Sequence, residues 1–146
     1  MAASTPALQL FKQAMKLATG GRNFDRVLGK VNLVAASPGR CSWEVLVEEP
    51  EANGQRTLHG GYMMTMVDTL TLATLAREVG KIGVSVQLNM SFFRSADIGE
   101  KAGKTLGFTK ADIFNSSGDI IATGSHMISL VKSRPIPGMP SDKDKS

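Results

Sequence analysis

A stretch of twenty residues with a single charged side chain most limits how this chain can fold. Between Arg56 and Arg77 the only charge is Asp68, and the residues that follow Gly60-Gly61 are apolar on nearly every side of a helix. A helix of that composition belongs at the centre of a domain. A carboxylate within such a helix is costly unless it is paired or used, so Asp68 is a candidate functional residue.

The apolar pattern also predicts where this central helix begins and ends. It begins at Gly60-Gly61, and it ends at Gly80, because glycine is the residue most typical of a helix C-cap. The face predicted to be buried consists of Met63, Met66, Val67, Leu70 and Thr74.

Alternation of apolar and polar residues predicts strands on both sides of this helix. Two precede it, at 31–36 and 41–48, and three follow it, at 82–92, 105–114 and 120–131. The residues predicted to be buried are Cys41, Trp43, Val45 and Val47 in the second strand, and Ile82, Val84, Val86, Leu88, Met90 and Phe92 in the third. Strands before and after one buried helix predict an α+β domain, with an antiparallel sheet wrapped around a long central helix.

The 146 residues suit one domain with short terminal extensions. We expect an N-terminal amphipathic helix or arm at 1–24, a domain at 25–132 and a disordered tail at 133–146. The arm lacks acidic residues, and Leu8, Phe11 and Met15 follow helical spacing. Two interpretations stay open for it, a helix packed on the domain or a mitochondrial presequence.

Composition excludes several classes of protein. No apolar run approaches the ~20 residues of a membrane-spanning helix. The lone Cys41 allows no internal disulfide and indicates no metal cluster. The basic residues are dispersed and aromatic residues are few, so nothing indicates nucleic-acid binding. The net charge of +4 suits a small anionic ligand or solubility alone.

Chemistry is first indicated at His59-Gly60-Gly61. The first amides of a helix lack internal partners and favour negative charge, and glycine lets a ligand approach the backbone. A thioester or ester carbonyl placed there would be polarised as an oxyanion forms. The alternative is a tight turn that requires glycine for backbone reasons alone. His59 is either a base or a side chain that holds a neighbouring loop.

Asp68 lies eight residues beyond Gly60. At ~1.5 Å per residue that is ~12 Å along the helix, too far for both to act on one carbonyl. Either the two features are unrelated, or a site joins the helix start of one chain to Asp68 of another, which predicts a symmetric dimer. A third interpretation is a buried acid satisfied by Thr65, Thr71 or Ser85.

Other polar residues are weaker candidates. Asn53 could orient a water or a carbonyl, and Ser85 could bond the carboxylate or the substrate. His126 lies in the last predicted strand and is interpreted as a packed core histidine. The basic residues of a predicted loop could meet phosphates or form a solvated surface; they are Arg94, Lys101 and Lys104.

Taken together, these residues resemble a known family. Asn53, the run Thr57-Leu-His-Gly-Gly61, the pair Val67-Asp68 and the run Gly83-Val-Ser85-Val are similar to motifs of the hotdog-fold acyl-CoA thioesterases, in the phenylacetate-thioesterase superfamily. The runs Arg22–Lys30 and Gly103–Phe108 narrow the resemblance to one group of thioesterases within this superfamily. It implies a hotdog fold, dimers whose sheets join edge to edge, and tetramers built from two dimers.

The resemblance implies hydrolysis of medium- to long-chain fatty acyl-CoA, in the cytosol or at mitochondria. It implies that the Gly60 amide polarises the thioester carbonyl, that Asp68 of the partner chain activates water, and that His59 supports Asn53. The residues it assigns to substrate and CoA are Ser85, Phe92, Phe93, Arg94, Ser95, Lys101, Gly103, Lys104 and Thr105. It implies no metal and no cofactor other than the coenzyme A of the substrate.

One departure from the family is visible. Only Lys101-Ala102 separates the Glu100 region from Gly103, where the family has a full strand. Losing an internal strand forces a new pairing or leaves sheet edges unpaired. The alternative function is therefore a catalytically impaired acyl-CoA-binding or interaction protein of the same fold. A hydratase of the same fold is less favoured. Such hydratases usually carry a catalytic histidine on the central helix, and this helix has no histidine after His59.

Overall fold

The computed structural model describes residues 6–106 and 110–135. Its helices are α1 (Pro6–Thr19) and α2 (Gly60–Val79), with 3-10 turns at Phe24–Leu28 and Glu49–Glu51. Its strands are β1 (Asn32–Ser37), β2 (Arg40–Leu46), β3 (Lys81–Phe92), β4 (Lys101–Leu106), β5 (Lys110–Phe114) and β6 (Ile120–Pro135).

The strands form one antiparallel sheet in the order β1-β2-β4-β5-β6-β3. Helix α2 contacts β3, β4, β5 and β6. This arrangement confirms the predicted α+β class and the antiparallel sheet around a long central helix.

Helix α2 has the predicted limits and the predicted buried face. It begins at Gly60, and Gly80 caps its end in the left-handed region at φ 70° while donating its N–H to Ala76. The five residues predicted to be buried, Met63, Met66, Val67, Leu70 and Thr74, are all buried. Apolar burial of this face against the sheet is what stabilises the helix.

The apolar faces of β2 and α1 also agree with the pattern in the sequence. Cys41, Trp43, Val45 and Val47 are each at most 2% exposed. Leu8, Phe11 and Met15 pack partly buried against the core, so α1 is an amphipathic helix that covers the sheet. Whether it also serves as a presequence stays a prediction.

The burial predicted for the apolar face of β3 was wrong over much of its length. Leu88 and Met90 pack on the core, but Ile82, Val84, Val86 and Phe92 are 47%, 52%, 60% and 47% exposed. Strand β3 lies at one edge of the sheet and pairs only with β6, with register shifts on either side of Val84 and Ser85. Its outer residues therefore lack neighbouring side chains that could cover them.

The prediction of one strand at 105–114 preceded by a loop was also wrong. Residues 101–106 form β4 and residues 110–114 form β5, and these strands pair with each other. Strand β4 also pairs with β2 from Cys41 to Leu46, so β2 has a neighbour on each side. The residues after Glu100 therefore fill the place between β2 and β5, where unpaired backbone groups would be costly.

The last strand is longer than its pattern indicates. Strand β6 continues to Pro135, so the tail predicted at 133–146 was wrong at its start, and residues 136–146 lie outside the described part of the chain. Neither described helix is long and apolar enough to cross a membrane.

Candidate active site

The N-terminus of α2 is capped by a histidine side chain. His59 is the N-cap, with extended backbone angles of φ −65° and ψ 132°. Its Nδ1 accepts a hydrogen bond from the Gly61 N–H at 2.8 Å, which satisfies one of the free amides of the first turn. The Gly60 amide is the first of the helix, and among the described residues no hydrogen bond from it to a loop or a side chain is seen.

Asn53 is held by its own loop. Its Oδ1 accepts hydrogen bonds from the N–H groups of Gln55 at 2.9 Å and Thr57 at 3.1 Å, and its Nδ2 donates to the Thr57 hydroxyl at 3.0 Å. His59 Nδ1 accepts from the Gly61 amide, and no hydrogen bond between His59 and Asn53 is seen among the described residues, so the implied support of Asn53 by His59 stays a prediction. Both residues still border the helix start, since His59 N–H donates to the carbonyl of Glu51.

The segment after β3 runs alongside the helix start. The Leu58 N–H donates to the Ala96 carbonyl at 2.8 Å, and Thr57 forms a bridge with Asp97. The ring of Phe92 lies over Gly60, where an added Cβ would meet Cζ at 3.5 Å. The structure therefore brings the predicted residues Phe92–Ser95 to the region of the Gly60 amide. Within that group, the Arg94 guanidinium forms an ion pair with Asp119 at 3.1 Å.

A cavity of about 260 Å³ opens beside the helix start. His59, Gly61, Tyr62 and Thr65 form its helical wall, and Phe24, Val27, Pro50 and Ala52 form the opposite wall. Phe24, Val27 and Tyr62 were missed from the sequence, because nothing in the local pattern indicates that the turn at 24–28 packs near the start of α2. The walls of this cavity are mostly apolar, as in small-molecule pockets, and its volume is slightly below their usual range of roughly 300–1,000 Å³.

Tyr62 is 8% exposed, and its hydroxyl has no hydrogen-bond partner among the described residues. Burial raises the pKa of its phenol, and the negative charge of Glu51 raises it further. The hydroxyl is therefore protonated and neutral over the physiological range.

Replacing Tyr62 by Phe is expected to raise the free energy of unfolding by about 1 kcal/mol, because an unpaired buried hydroxyl costs about 1–3 kcal/mol. Urea denaturation of the two proteins measures the difference. Tyr62→Leu is the comparison, since it removes packed ring atoms and should destabilise. If Tyr62→Phe instead lowers the free energy of unfolding by 1 kcal/mol or more, the hydroxyl has a hydrogen-bond partner in the folded protein.

Asp68 lies on the α2 surface that faces β3. Its Oδ1 accepts a hydrogen bond from the Ser85 hydroxyl at 2.7 Å, so Ser85 is the partner among the three considered for this acid. Thr65 donates instead to the Gly61 carbonyl, and Thr71 to the Val67 carbonyl. The expectation of a buried carboxylate was wrong, since 46% of the Asp68 side chain is exposed in the single chain.

A buried histidine lies behind the carboxylate. His126 Nε2 is 3.3 Å from Asp68 Oδ1, and His126 Nδ1 is 2.6 Å from the Thr71 hydroxyl. The single Thr71 hydroxyl proton goes to the Val67 carbonyl at 2.5 Å, so the oxygen accepts from Nδ1–H of His126.

His126 is therefore a core histidine, as predicted, and also a neighbour of the candidate acid, which the sequence did not indicate. The contact between His126 and Asp68 depends on the register in which His126 of β6 lies opposite Leu88 of β3. It also depends on how α2 packs across these strands. No pattern within β6 itself carries that information.

The structure divides the predicted residues into two groups and leaves a third apart. The Gly60 amide, Asn53, His59 and Phe92 are at the start of α2, and Asp68 with Ser85 lies ~12 Å further along the helix. Lys101, Gly103, Lys104 and Thr105 are in β4, where the backbone pairs with β2 and β5. The phosphate-binding loop considered there is a strand.

No group of three or more metal-ligating side chains occurs within residues 6–106 and 110–135.

The chain is similar in sequence to known proteins. The thioesterase superfamily model matches residues 55–122, which include every residue of the two groups except Asn53. Human acyl-coenzyme A thioesterase 13 is 43% identical over 133 residues, which cover 84% of this chain and 95% of the human protein. The mouse protein of the same name is 41% identical over 129 residues, covering 81% of this chain and 92% of its own length.

Solved structures show the same relationship. Zebrafish thioesterase superfamily member 2 superposes with a TM-score of 0.75 and 35% identity, covering 85% of this chain and 96% of that protein. The mouse protein of the same name gives a TM-score of 0.74 and 36% identity, with the same coverage. On this identity and coverage, the chain belongs to the thioesterase superfamily and is a thioesterase of hotdog fold.

Proposed function

We propose that this enzyme hydrolyses medium- and long-chain fatty acyl-CoA to the free acid and coenzyme A, at sites shared by two protomers. One observation carries the proposal: a half-exposed carboxylate bonded by Ser85 lies ~12 Å along the same helix from an unused N-terminal amide. The name of human acyl-coenzyme A thioesterase 13 supports the substrate class.

In the proposed reaction the thioester carbonyl lies at the Gly60 amide of one protomer and faces Asp68 of the other. Asp68 takes a proton from water as the oxygen of that water adds to the carbonyl carbon. The amide donates a hydrogen bond to the resulting oxyanion. The carbon–sulfur bond then breaks, and the proton held by Asp68 passes to the departing thiolate of coenzyme A.

Ser85 and His126 act on Asp68 in this scheme. The Ser85 hydroxyl bonds Oδ1 and fixes the orientation of the carboxylate. The buried His126, held by Thr71, lies 3.3 Å from the same carboxylate oxygen and limits how far the carboxylate can turn. The cavity beside His59 and Tyr62 is the proposed place for the first part of the acyl chain.

The deciding experiment is release of free thiol from acyl-CoA of eight to sixteen carbons by the purified wild-type protein. Saturable turnover that rises over this range of chain lengths supports the proposal. A folded protein that turns over none of these substrates would overturn it. The alternative is a catalytically impaired acyl-CoA-binding or interaction protein of the same fold, and a folded protein that binds these substrates without turnover would support it.

The proposed dimer joins two molecules at the free edge of β3. Val84 and Val86 are exposed on this edge strand and flank Ser85, whose hydroxyl contacts Asp68. A partner docked here would bring its own residues to the carboxylate and would cover these valines, which is the behaviour expected of an exposed apolar edge.

We therefore expect Val86→Lys to convert the dimer to a monomer and to abolish thiol release, because a lysine in this interface would be buried without a counter-charge. Light scattering after size-exclusion chromatography measures the mass. Val34→Lys is the matched control, since Val34 is 50% exposed on β1 at the opposite edge of the sheet. A dimer that survives Val86→Lys and dissociates in Val34→Lys would contradict the proposed edge.

A further inference from the structure

The 3-10 turn at 24–28 forms one wall of the cavity beside the start of α2. Two contacts fix this turn to the domain. Leu28 is 1% exposed in the core, and the Thr69 hydroxyl of α2 donates a hydrogen bond to Asp25 Oδ1 at 3.2 Å. Phe24 and Val27 of the same turn line the cavity. Their side chains are therefore held in place relative to the helix.

The side chains that this turn contributes are apolar and within reach of a ligand. Phe24 is 66% exposed and Val27 is partly exposed. Across the cavity, Ala52 and Thr65 are also partly exposed. A ligand between these walls would cover the ring of Phe24, and removing such apolar surface from water stabilises a complex.

The cavity offers little to a charged ligand. None of the described residues that line it is a lysine, an arginine, an aspartate or a glutamate. His59 Nδ1 already accepts from the Gly61 N–H, and the Thr65 hydroxyl donates to the Gly61 carbonyl. The hydroxyl of Tyr62 is fully buried. Such walls suit the alkyl part of a substrate and not the phosphates of coenzyme A.

The position and volume of the cavity determine which part of an alkyl chain it holds. His59 and Gly61, on either side of the Gly60 amide, both line it, so a carbonyl at that amide would direct the adjoining carbons into the cavity. A cavity of ~150 Å³ binds benzene, with its six non-hydrogen atoms. In proportion, about 260 Å³ accommodates roughly ten carbons, and further carbons would reach the exposed ring of Phe24.

We propose that Phe24 and Val27 set the length of acyl chain that this enzyme accepts, as the wall of a cavity that takes up roughly the first ten carbons. The inference rests on the proposed function, which places the thioester at the Gly60 amide. It adds that the selective wall is the turn at 24–28. A larger side chain at Val27 would shorten the cavity, and a smaller one at Phe24 would leave the distal carbons uncovered.

Thioether analogues of coenzyme A have no carbonyl and cannot be hydrolysed, so they measure the effect without turnover. In calorimetric titrations of the full-length wild type, the dissociation constant of S-decyl-CoA should be lower than that of S-butyl-CoA by about thirtyfold or more. Each fully buried CH₂ strengthens binding by about fourfold, and this open cavity buries the chain in part. In Val27→Trp the ratio of the two constants should fall below about three.

The matched control for Val27→Trp is Val34→Trp, which makes the same change at an exposed residue of β1 outside the cavity. Phe24→Ala is a second variant, and its exposed ring can be removed without loss of the fold. It should lower the same ratio by about tenfold, because six distal carbons lose their cover. Leu17→Ala, at a side chain that is 82% exposed on α1, is its control. Both controls should keep the wild-type ratio.

The inference is overturned if the wild type binds both analogues equally, or if folded Val27→Trp or Phe24→Ala keeps the wild-type ratio. It is also overturned if a control lowers the ratio as much as its matched variant. Its failure differs from failure of the reaction. Thiol release from acyl-CoA, with binding that does not depend on chain length, would refute the inference alone. The expected ratios in a protein that releases no thiol would refute only the reaction.

Discussion

Asp68→Asn is expected to lower kcat/KM for acyl-CoA by about a hundredfold to ten-thousandfold, the usual contribution of a positioned general base. Asparagine has nearly the same shape, and its Oδ1 can still accept the hydrogen bond that Ser85 donates at 2.7 Å. It cannot take a proton from water. Because 46% of this side chain is exposed, the substitution should leave the fold intact. Thiol release under steady-state conditions measures the effect.

The control for Asp68→Asn is Asp112→Asn, which makes the same chemical change at an exposed residue of β5. It should retain the activity of the wild type, and circular dichroism should show the same thermal midpoint for all three proteins. Equal turnover by Asp68→Asn and the wild type would remove Asp68 from the proposed reaction.

The second large effect is expected at Gly60, where one amide can be removed with little other change. Proline is well accepted at the first position of a helix, and His59 before it already has extended angles of φ −65° and ψ 132°. Gly60→Pro therefore removes the N–H that is proposed to polarise the carbonyl. We expect kcat to fall by about 10²–10³, as when one oxyanion donor is lost.

Gly60→Ala is the matched control, because it adds a side chain and keeps the amide. The added Cβ would meet the Phe92 ring at 3.5 Å, an ordinary van der Waals contact. Its activity should stay within a few fold of the wild type. If alanine and proline lower kcat equally, the loss is steric and the amide has no role in the reaction.

These two variants also test whether the site is shared between protomers. Each heterodimer of Asp68→Asn with Gly60→Pro would contain one intact site and one doubly altered site. With free subunit exchange half of the dimers are heterodimers, so the mixture should recover about a quarter of wild-type activity. Demonstrated exchange without recovery would contradict a composite site.

Local patterns in the sequence determined the elements that lie wholly in the core. Helix α2 has the predicted start at Gly60 and the predicted cap at Gly80, because capping and apolar periodicity act within a few residues. The alternation in β2 predicted its buried face correctly for the same reason. The isolation of Asp68 within an apolar helix was enough to make it a candidate, and its separation from Gly60 required only the rise of a helix.

Only the tertiary structure decided what depends on neighbours distant in the sequence. Strand β3 has a regular apolar face, yet Val84 and Val86 are exposed because the strand is at an edge, and edge position depends on the order of all the strands. Residues 101–106 were predicted as loop and pair as β4, because β2 offers an open edge that the local pattern does not show. The contact of His126 with Asp68 joins residues 58 positions apart, and only the packing of α2 across β6 brings them together.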